Sequence, residues 1–93
     1  MLGESYLRAD RVDEAAIEAG SAVELARRYG ERGSEAWALW LSGSVSTARG
    51  REHDAAGAFA ASSAIAAELE MRPLVTLAQR DRERLRGARG GIE

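Results

Sequence analysis

The amino-acid sequence predicts an all-α fold of about five helices arranged as antiparallel hairpins. Proline occurs once among the 93 residues, and most of the ten glycines lie between alanine-rich stretches. Apolar residues in those stretches recur at steps of three and four, which is the spacing of one helix face, and no stretch shows the alternation typical of a strand. Because the connections are short, consecutive helices are expected to be antiparallel neighbours in a single domain.

The first hairpin is expected over about residues 2–30. A short helix begins at Leu2, and Asp10 or Asp13 is expected to cap the longer helix that follows by accepting a hydrogen bond from its free amides. That helix is predicted to close at Gly30, because glycine adopts the left-handed conformation that ends helices. Its apolar stripe consists of Val12, Ala15, Ala16, Ala19, Ala22, Val23 and Ala26.

The second hairpin is expected over about residues 34–70, with Ser34 as the N-cap of its first helix and Gly50 as the break between its two helices. The apolar side of the first helix is predicted to contain Trp37, Leu41, Val45 and Ala48. The stripe of the second helix is predicted to contain Ala55, Ala56, Phe59, Ser62, Ala66 and Leu69.

A lone capping helix is expected over about residues 73–87, followed by a disordered tail at 88–93. Pro73 favours a helix start, because its missing amide hydrogen costs nothing in the first turn. The apolar positions are fewer here, and Asp81 interrupts the stripe where it should continue. The helix is therefore predicted to be a partly solvated cap, with its apolar residues at Leu74, Leu77, Ala78 and Leu85.

Composition excludes several classes of site and location. Cysteine is absent, which removes disulfides, thiolate nucleophiles and cysteine-based zinc sites. The longest strongly apolar run, Ala36–Leu41, is six residues long, far below the ~20 that a transmembrane helix needs. The first residues do not resemble a targeting segment, so a cytoplasmic location is expected. All thirteen positive charges are arginine, a bias that we associate with a GC-rich bacterial genome.

The charge distribution does not favour nucleic acid as a partner. Residues 72–93 hold six arginines against three acidic residues, whereas residues 1–71 hold seven against twelve. In the basic segment, however, the arginines alternate with Asp81 and Glu83, and no aromatic residue lies beside them for base stacking. A bare charge cluster of this kind is a weak signal for nucleic-acid binding.

No complete set of catalytic or metal-binding residues is present in the sequence. His53, the one histidine, stands beside Asp54 at a helix start, and we interpret it as a solvated turn residue because a metal needs three or four converging ligands. The serines form no G-x-S-x-G motif, and no phosphate loop or dinucleotide fingerprint occurs. We therefore expect no enzyme activity, no metal and no cofactor.

An internal repeat leads to a family resemblance. The alignment of the chain with itself that places Gly3 on Gly43 also places Ala15 on Ala55 and Ala19 on Phe59. The pattern of a Leu-Gly pair, an aromatic three residues on, and then small and aromatic residues in a second helix resembles the tetratricopeptide repeat family, although the spacing here exceeds the usual period of ~34 and Ser46 stands at the second aromatic position. The positions that match are Gly3, Tyr6, Ala15, Ala19, Ala22, Gly43, Ala55, Phe59 and Pro73.

The resemblance implies a right-handed solenoid fragment that acts as a protein–protein interaction scaffold. In this family the first helix of each hairpin lines a concave groove, where tryptophan would supply apolar area and arginine a carboxylate contact for a peptide. The alternative is that both tryptophans pack against neighbouring hairpins. The groove residues implied by the resemblance are Trp37, Trp40, Ser44, Thr47, Leu77, Arg80 and Arg84.

Two further expectations concern the partner. The extended spacing is similar to the repeat arrays that follow ATPase modules in bacterial class III cyclase-linked and LuxR-type regulators. This similarity implies, as an alternative, a fragment of a sensory or regulatory region whose partner is a neighbouring domain of a larger chain. A homodimer is a further option, because an end hairpin exposes an apolar flank that another copy can cover.

Overall fold

The computed structural model describes the backbone of residues 9–90 and the side chains of residues 12–85. Within this part the chain forms four α-helices and no strand. The predicted all-α class is confirmed, while the short helix expected before Ala9, with Gly3 and Tyr6, lies outside the described residues. The helices are α1 (Ala9–Arg28), α2 (Arg32–Ala48), α3 (Glu52–Glu68) and α4 (Arg72–Gly90).

Three similar turns connect the four helices. The helices that follow them begin at evenly spaced positions, which are Arg32 for α2, Glu52 for α3 and Arg72 for α4. In each turn the last residue donates its backbone N–H to the carbonyl oxygen five residues earlier, which is the bond of a Schellman motif. These bonds run from Glu31 to Ala26 (2.8 Å), from Arg51 to Ser46 (2.9 Å) and from Met71 to Ala66 (2.8 Å).

The middle residue of each turn has a positive φ. It is 68° at Gly30, 77° at Gly50 and 59° at Glu70. Both glycines end helices where the sequence predicts that they do. The third turn keeps the same backbone with a side chain in place, which costs an L-residue about 1–2 kcal/mol.

The predicted N-caps of α1 and α2 are wrong. Glu31 is the N-cap residue of α2, its side chain makes no capping hydrogen bond, and Ser34 lies inside the first turn. Asp10 and Asp13 likewise lie inside α1. At α2 the reason is the preceding turn, which closes on the backbone N–H of Glu31 and carries the chain directly into the next helix.

The start of α4 agrees with the sequence prediction, and its end differs. Pro73 lies in the first turn, one residue after Arg72. The helix continues to Gly90, past the predicted end at residue 87 and into the segment predicted as a disordered tail; residues 91–93 of that tail lie outside the described part. Arginine and alanine are good helix formers, and they outweigh the single Gly87 as a breaker.

No helix among the described residues is long and apolar enough to cross a membrane.

Helix packing places α2 and α4 side by side. Each helix packs against the next one in the chain, and α2 also contacts α4 directly, whereas α1 and α3 have no such contact within the described residues. The short turns make successive helices antiparallel. An ion pair between Arg27, at the end of α1, and Glu35, at the start of α2, agrees with this direction.

The core consists mainly of small side chains arranged in three clusters. Between α1 and α2 the cluster contains Val12, Ala15 and Val45; across α2, α3 and α4 it contains Ala36, Ile65, Ala66 and Leu74; between α3 and α4 it contains Ala55, Phe59 and Leu85. Predicted stripe residues at the edges of their faces, such as Ala22 and Leu69, are exposed.

The predicted apolar side of α2 is exposed at two of its four positions. Trp37 is 46% exposed and Ala48 is exposed; of the predicted positions only Val45 is buried. The helix packs between α1 and α3, so two opposite flanks are covered and small residues such as Ala36 and Ala38 are buried there.

The contact between α2 and α3 depends on Gly43. A Cβ atom built on this residue would lie 2.5 Å from Cε1 of Phe59 and 2.6 Å from its Cδ1. Phe59 is only 2% exposed, so a side chain at position 43 would require a buried ring to shift. Nearby, the buried hydroxyl of Ser62 donates to the carbonyl oxygen of Ala36 at 2.7 Å. Small residues therefore allow the two backbones to approach closely.

Ion pairs join α1, α2 and α3 at their ends. The buried carboxylate of Glu35 accepts from Nε of Arg27 at 2.9 Å, and Nη2 of Arg32 donates to Glu68 at 2.6 Å. The hydrogen bond between Arg32 and Glu68, together with the charge of Glu68, raises the pKa of Arg32. Arg32 is thus charged throughout the physiological range, and the shift adds no pH dependence there.

Gly43→Ala is expected to lower the free energy of unfolding by about 1–2 kcal/mol, because the overpacking against Phe59 exceeds the ~1 kcal/mol gained in helix propensity. Gly57→Ala is the matched control: it lies in α3, and a Cβ there meets nothing within 4 Å. The control should gain about 0.5–1 kcal/mol. Urea denaturation followed by circular dichroism measures both, and a gain for both variants would contradict the close contact.

Glu70→Gly is expected to raise the free energy of unfolding by about 0.5–1 kcal/mol, since relief of the left-handed backbone exceeds the extra chain entropy of glycine. Gly30→Ala is the reciprocal variant, because its Cβ would also meet nothing within 4 Å. It should lose a similar amount. Equal effects of the same sign in thermal melts would show that φ at these turns does not determine the difference.

Candidate binding cleft between α2 and α4

A cleft of about 630 Å³ lies between α2 and α4, with the start of α3 at one end. On α2 the lining positions follow steps of four and three, and the same steps recur on α4, so each helix contributes one stripe. The cleft is lined by Trp40, Ser44, Thr47, Gly50, Glu52, Phe59, Leu77, Asp81, Arg84 and Leu85.

The structure brings together five of the seven side chains that the family resemblance implies for a groove. These are Trp40, Ser44, Thr47, Leu77 and Arg84. Trp37 and Arg80 do not line the cleft: both are exposed, Trp37 on α2 and Arg80 further around α4. Phe59 and Leu85 were assigned to the core by the sequence, and their ring and side-chain edges also form the floor of the cleft.

The floor of the cleft is apolar. Phe59 and Leu85 are 2% and 7% exposed and pack together with Ala55, and Trp40 packs against this cluster from α2. Leu77 is half-buried beside it. An apolar floor with few polar groups around it is typical of a site that takes up a side chain of a ligand.

Asp81 binds the indole of Trp40 across the cleft. Nε1 of Trp40 donates to Oδ2 of Asp81 at 2.8 Å. This contact explains why an acidic residue interrupts the apolar stripe of α4: the position faces a tryptophan whose N–H needs an acceptor. Sequence reasoning missed the pair. Its only signal was the combination of a lone acid on an apolar face and a tryptophan on a neighbouring helix.

The two tryptophans have different environments. Their rings are in edge-to-face contact, with centroids 6.2 Å apart and an interplanar angle of 81°. Trp37 is 46% exposed, while Trp40 is half-buried and packs against two core clusters. The alternative predicts that both tryptophans pack against neighbouring hairpins, and in the structure only Trp40 does.

The polar rim combines hydroxyl groups with charged side chains of both signs, which are Glu52, Asp81 and Arg84. Thr47 already donates its hydroxyl to the carbonyl oxygen of Gly43 at 2.9 Å. The side chain of Arg84 is 72% exposed, and its Nη1 lies 3.9 Å from Oδ1 of Asp81. Because this ion pair is long and guanidinium has five N–H donors, Arg84 retains N–H groups that can donate to a carboxylate of a ligand.

The described residues contain no arrangement of metal ligands. His53 is exposed in the first turn of α3. Within residues 12–85 no three side chains of histidine, cysteine, aspartate or glutamate are placed to hold a metal ion together. The chemistry available in the cleft is therefore apolar contact, hydroxyl hydrogen bonding and charged contacts from one guanidinium and two carboxylates.

None of the protein-family models, curated proteins and solved structures that were compared with this chain matches it. A function has to be inferred from the geometry and chemistry of the cleft itself.

Trp40→Phe is expected to lower the free energy of unfolding by about 1.5–3 kcal/mol, because it removes a hydrogen bond to a charged, largely buried carboxylate. Trp37→Phe serves as the control, since it keeps an aromatic ring at a position half exposed to solvent, and should change stability by less than about 0.5 kcal/mol. Urea denaturation of both single-tryptophan proteins measures the difference. Equal losses would mean that the bond to Asp81 contributes little.

Proposed function

We propose that this chain is a helical-repeat protein-interaction module of the tetratricopeptide type, which binds a peptide segment of a partner protein in the cleft between α2 and α4 and performs no catalysis. The observation that carries the proposal is the combination, in one cleft, of an apolar floor and the exposed guanidinium of Arg84. No observation in the described residues favours the regulatory-fragment alternative over this one.

The arrangement of the helices supports a repeat module. The helices start at evenly spaced positions, which are Arg32, Glu52 and Arg72. Two successive helices with their turns therefore span the same number of residues as the internal repeat of the sequence. Contact between α2 and α4, without contact between α1 and α3 in the described part of the chain, brings the first helices of successive hairpins together on one side. In a solenoid of helical hairpins this is the side that forms the concave surface.

The chemistry of the cleft indicates the ligand class. A volume of about 630 Å³ accommodates one or two large side chains, which would contact Phe59, Leu77 and Leu85. A carboxylate near that anchor would bind Arg84 through charge-assisted hydrogen bonds. The expected ligand is thus an extended or helical peptide with a large apolar residue and an aspartate, a glutamate or a terminal carboxylate close to it.

Selection of random peptides displayed on phage against the immobilised 93-residue protein tests the proposal. Enriched peptides should combine a large apolar residue with a nearby acidic group. Arg84→Glu should weaken their binding by about 10- to 100-fold, the value of a charge-assisted hydrogen bond. Titration followed by the fluorescence of the two tryptophans measures the affinity.

Arg82→Glu is the matched control, because it makes the same charge change on α4 at an exposed residue that does not line the cleft. It should leave affinity within about twofold, apart from the small effect of the net charge. Equal weakening by both variants, or a selection without enrichment of acidic apolar peptides, would contradict the proposed site.

A further inference from the structure

The side of α2 that lines the cleft continues beyond the cleft to Trp37. On α2 the cleft is lined at Trp40, Ser44 and Thr47. Trp37 precedes Trp40 by three residues, a step that keeps it on the same side of the helix. The two indole rings are in edge-to-face contact, with their centroids 6.2 Å apart. Trp37 therefore borders the end of the cleft that Trp40 forms.

The indole of Trp37 has unused apolar surface and an unused hydrogen-bond donor. The residue is 46% exposed. Nε1 of Trp40 donates to Asp81, whereas within residues 12–85 no acceptor receives the N–H of Trp37. Tryptophan, with its large apolar ring and one donor, is among the residue types most enriched at binding hot spots.

Trp37 and Arg84 lie on opposite sides of the hydrogen bond between Trp40 and Asp81. The helices α2 and α4 are parallel, because each is antiparallel to α3 between them. Trp37 precedes Trp40 by three residues and Arg84 follows Asp81 by three, which separates Trp37 from Arg84 by about 9 Å along the helix axes. Because neighbouring helix axes are ~8–10 Å apart, a ligand that reaches both residues spans about 13 Å.

An extended peptide suits this span better than a helical one. At ~3.3 Å per residue an extended segment covers it with about four residues, whereas a helix needs about nine. The carbonyl oxygens of an extended peptide are also free to accept from Nε1 of Trp37, while those of a helix are bonded within the helix.

The charges around this end of the cleft favour an uncharged ligand residue beside Trp37. The charged residues towards this end of α2 and α4 are either paired or positive. The paired ones are Arg32, Glu35 and Asp81. The positive ones, Arg72 and Arg80, are exposed and disfavour lysine or arginine in a ligand. A ligand carboxylate packed on the indole would lose hydration without gaining a partner there.

We propose that Trp37 is a second subsite for the peptide bound in the cleft, and that it takes an uncharged apolar residue about four positions from the acidic group that binds Arg84. The peptide is extended, and one of its main-chain carbonyl oxygens accepts from Nε1 of Trp37. The large apolar residue on the floor of the cleft lies between these two contacts. This inference rests on the proposed function and adds the length and conformation of the ligand to it.

A double-mutant cycle between Trp37 and a selected peptide tests the proposal. Trp37→Ala should raise the dissociation constant about tenfold, and so should alanine at the second apolar residue of the peptide. The two changes together should add no more than about threefold to either one, since each removes the same contact. Trp37→Phe keeps a ring without the donor and should raise the constant by about two- to fivefold. Anisotropy of a dye-labelled peptide measures all of these affinities without relying on tryptophan emission.

Ile17→Ala is the matched control, because it also shortens an exposed apolar residue, 71% exposed, on a helix that does not line the cleft. It should leave the constant within about twofold. Circular dichroism of each variant checks that the chain remains folded.

The outcomes separate this inference from the proposed function. Binding that is weakened by Arg84→Glu but not by Trp37→Ala would overturn the second subsite and leave the cleft as the binding site. Losses that simply add in the double-mutant cycle would overturn it as well, since the two groups would then not be in contact. Binding insensitive to both protein variants, or a selection that yields no peptide, would contradict the proposed function and the subsite together.

Discussion

The close approach of α2 and α3 at Gly43 is the contact on which the rest of the structure depends. The ring of Phe59 occupies the space in which any other residue at position 43 would have a side chain. The same ring then packs with Leu85 from α4 and with Trp40 from α2. One missing Cβ therefore determines both the spacing of the central helices and the floor of the cleft.

The turns provide a second constraint, because they set the length of every helix between them. Each turn ends a helix through the same backbone hydrogen bonds, and the next helix begins one residue after the turn. The chain thus repeats a unit of one helix and one turn. Backbone hydrogen bonds of the turn, and not side-chain caps, determine where each new helix begins. The same bonds close the third turn, where Glu70 occupies the position at which the other two turns have glycine.

The cleft combines an apolar floor with a rim that has charges of both signs. Phe59 and Leu85 form the floor, and Arg84 lies on the rim together with the carboxylates of Asp81 and Glu52. An apolar side chain with a carboxylate close to Arg84 complements the floor and the guanidinium together.

The sequence by itself determined the features that are local. Alanine-rich stretches at helical spacing, the glycines at 30 and 50 and the proline at 73 predicted the helices and the turns between them, since backbone propensity and turn geometry act within a few residues. The buried positions of α1 and most of those of α3 and α4 also followed from periodicity, because the buried residues of these helices recur at helical spacing.

Only the tertiary structure decided the features that depend on two helices at once. Trp37 and Trp40 have the same residue type and nearly the same place in the sequence, yet only Trp40 lies opposite Asp81 of α4. Likewise, α2 buries two flanks because it lies between α1 and α3, which single-face periodicity does not predict. Pairing and exposure of this kind arise from the crossing of helices that are far apart in the chain.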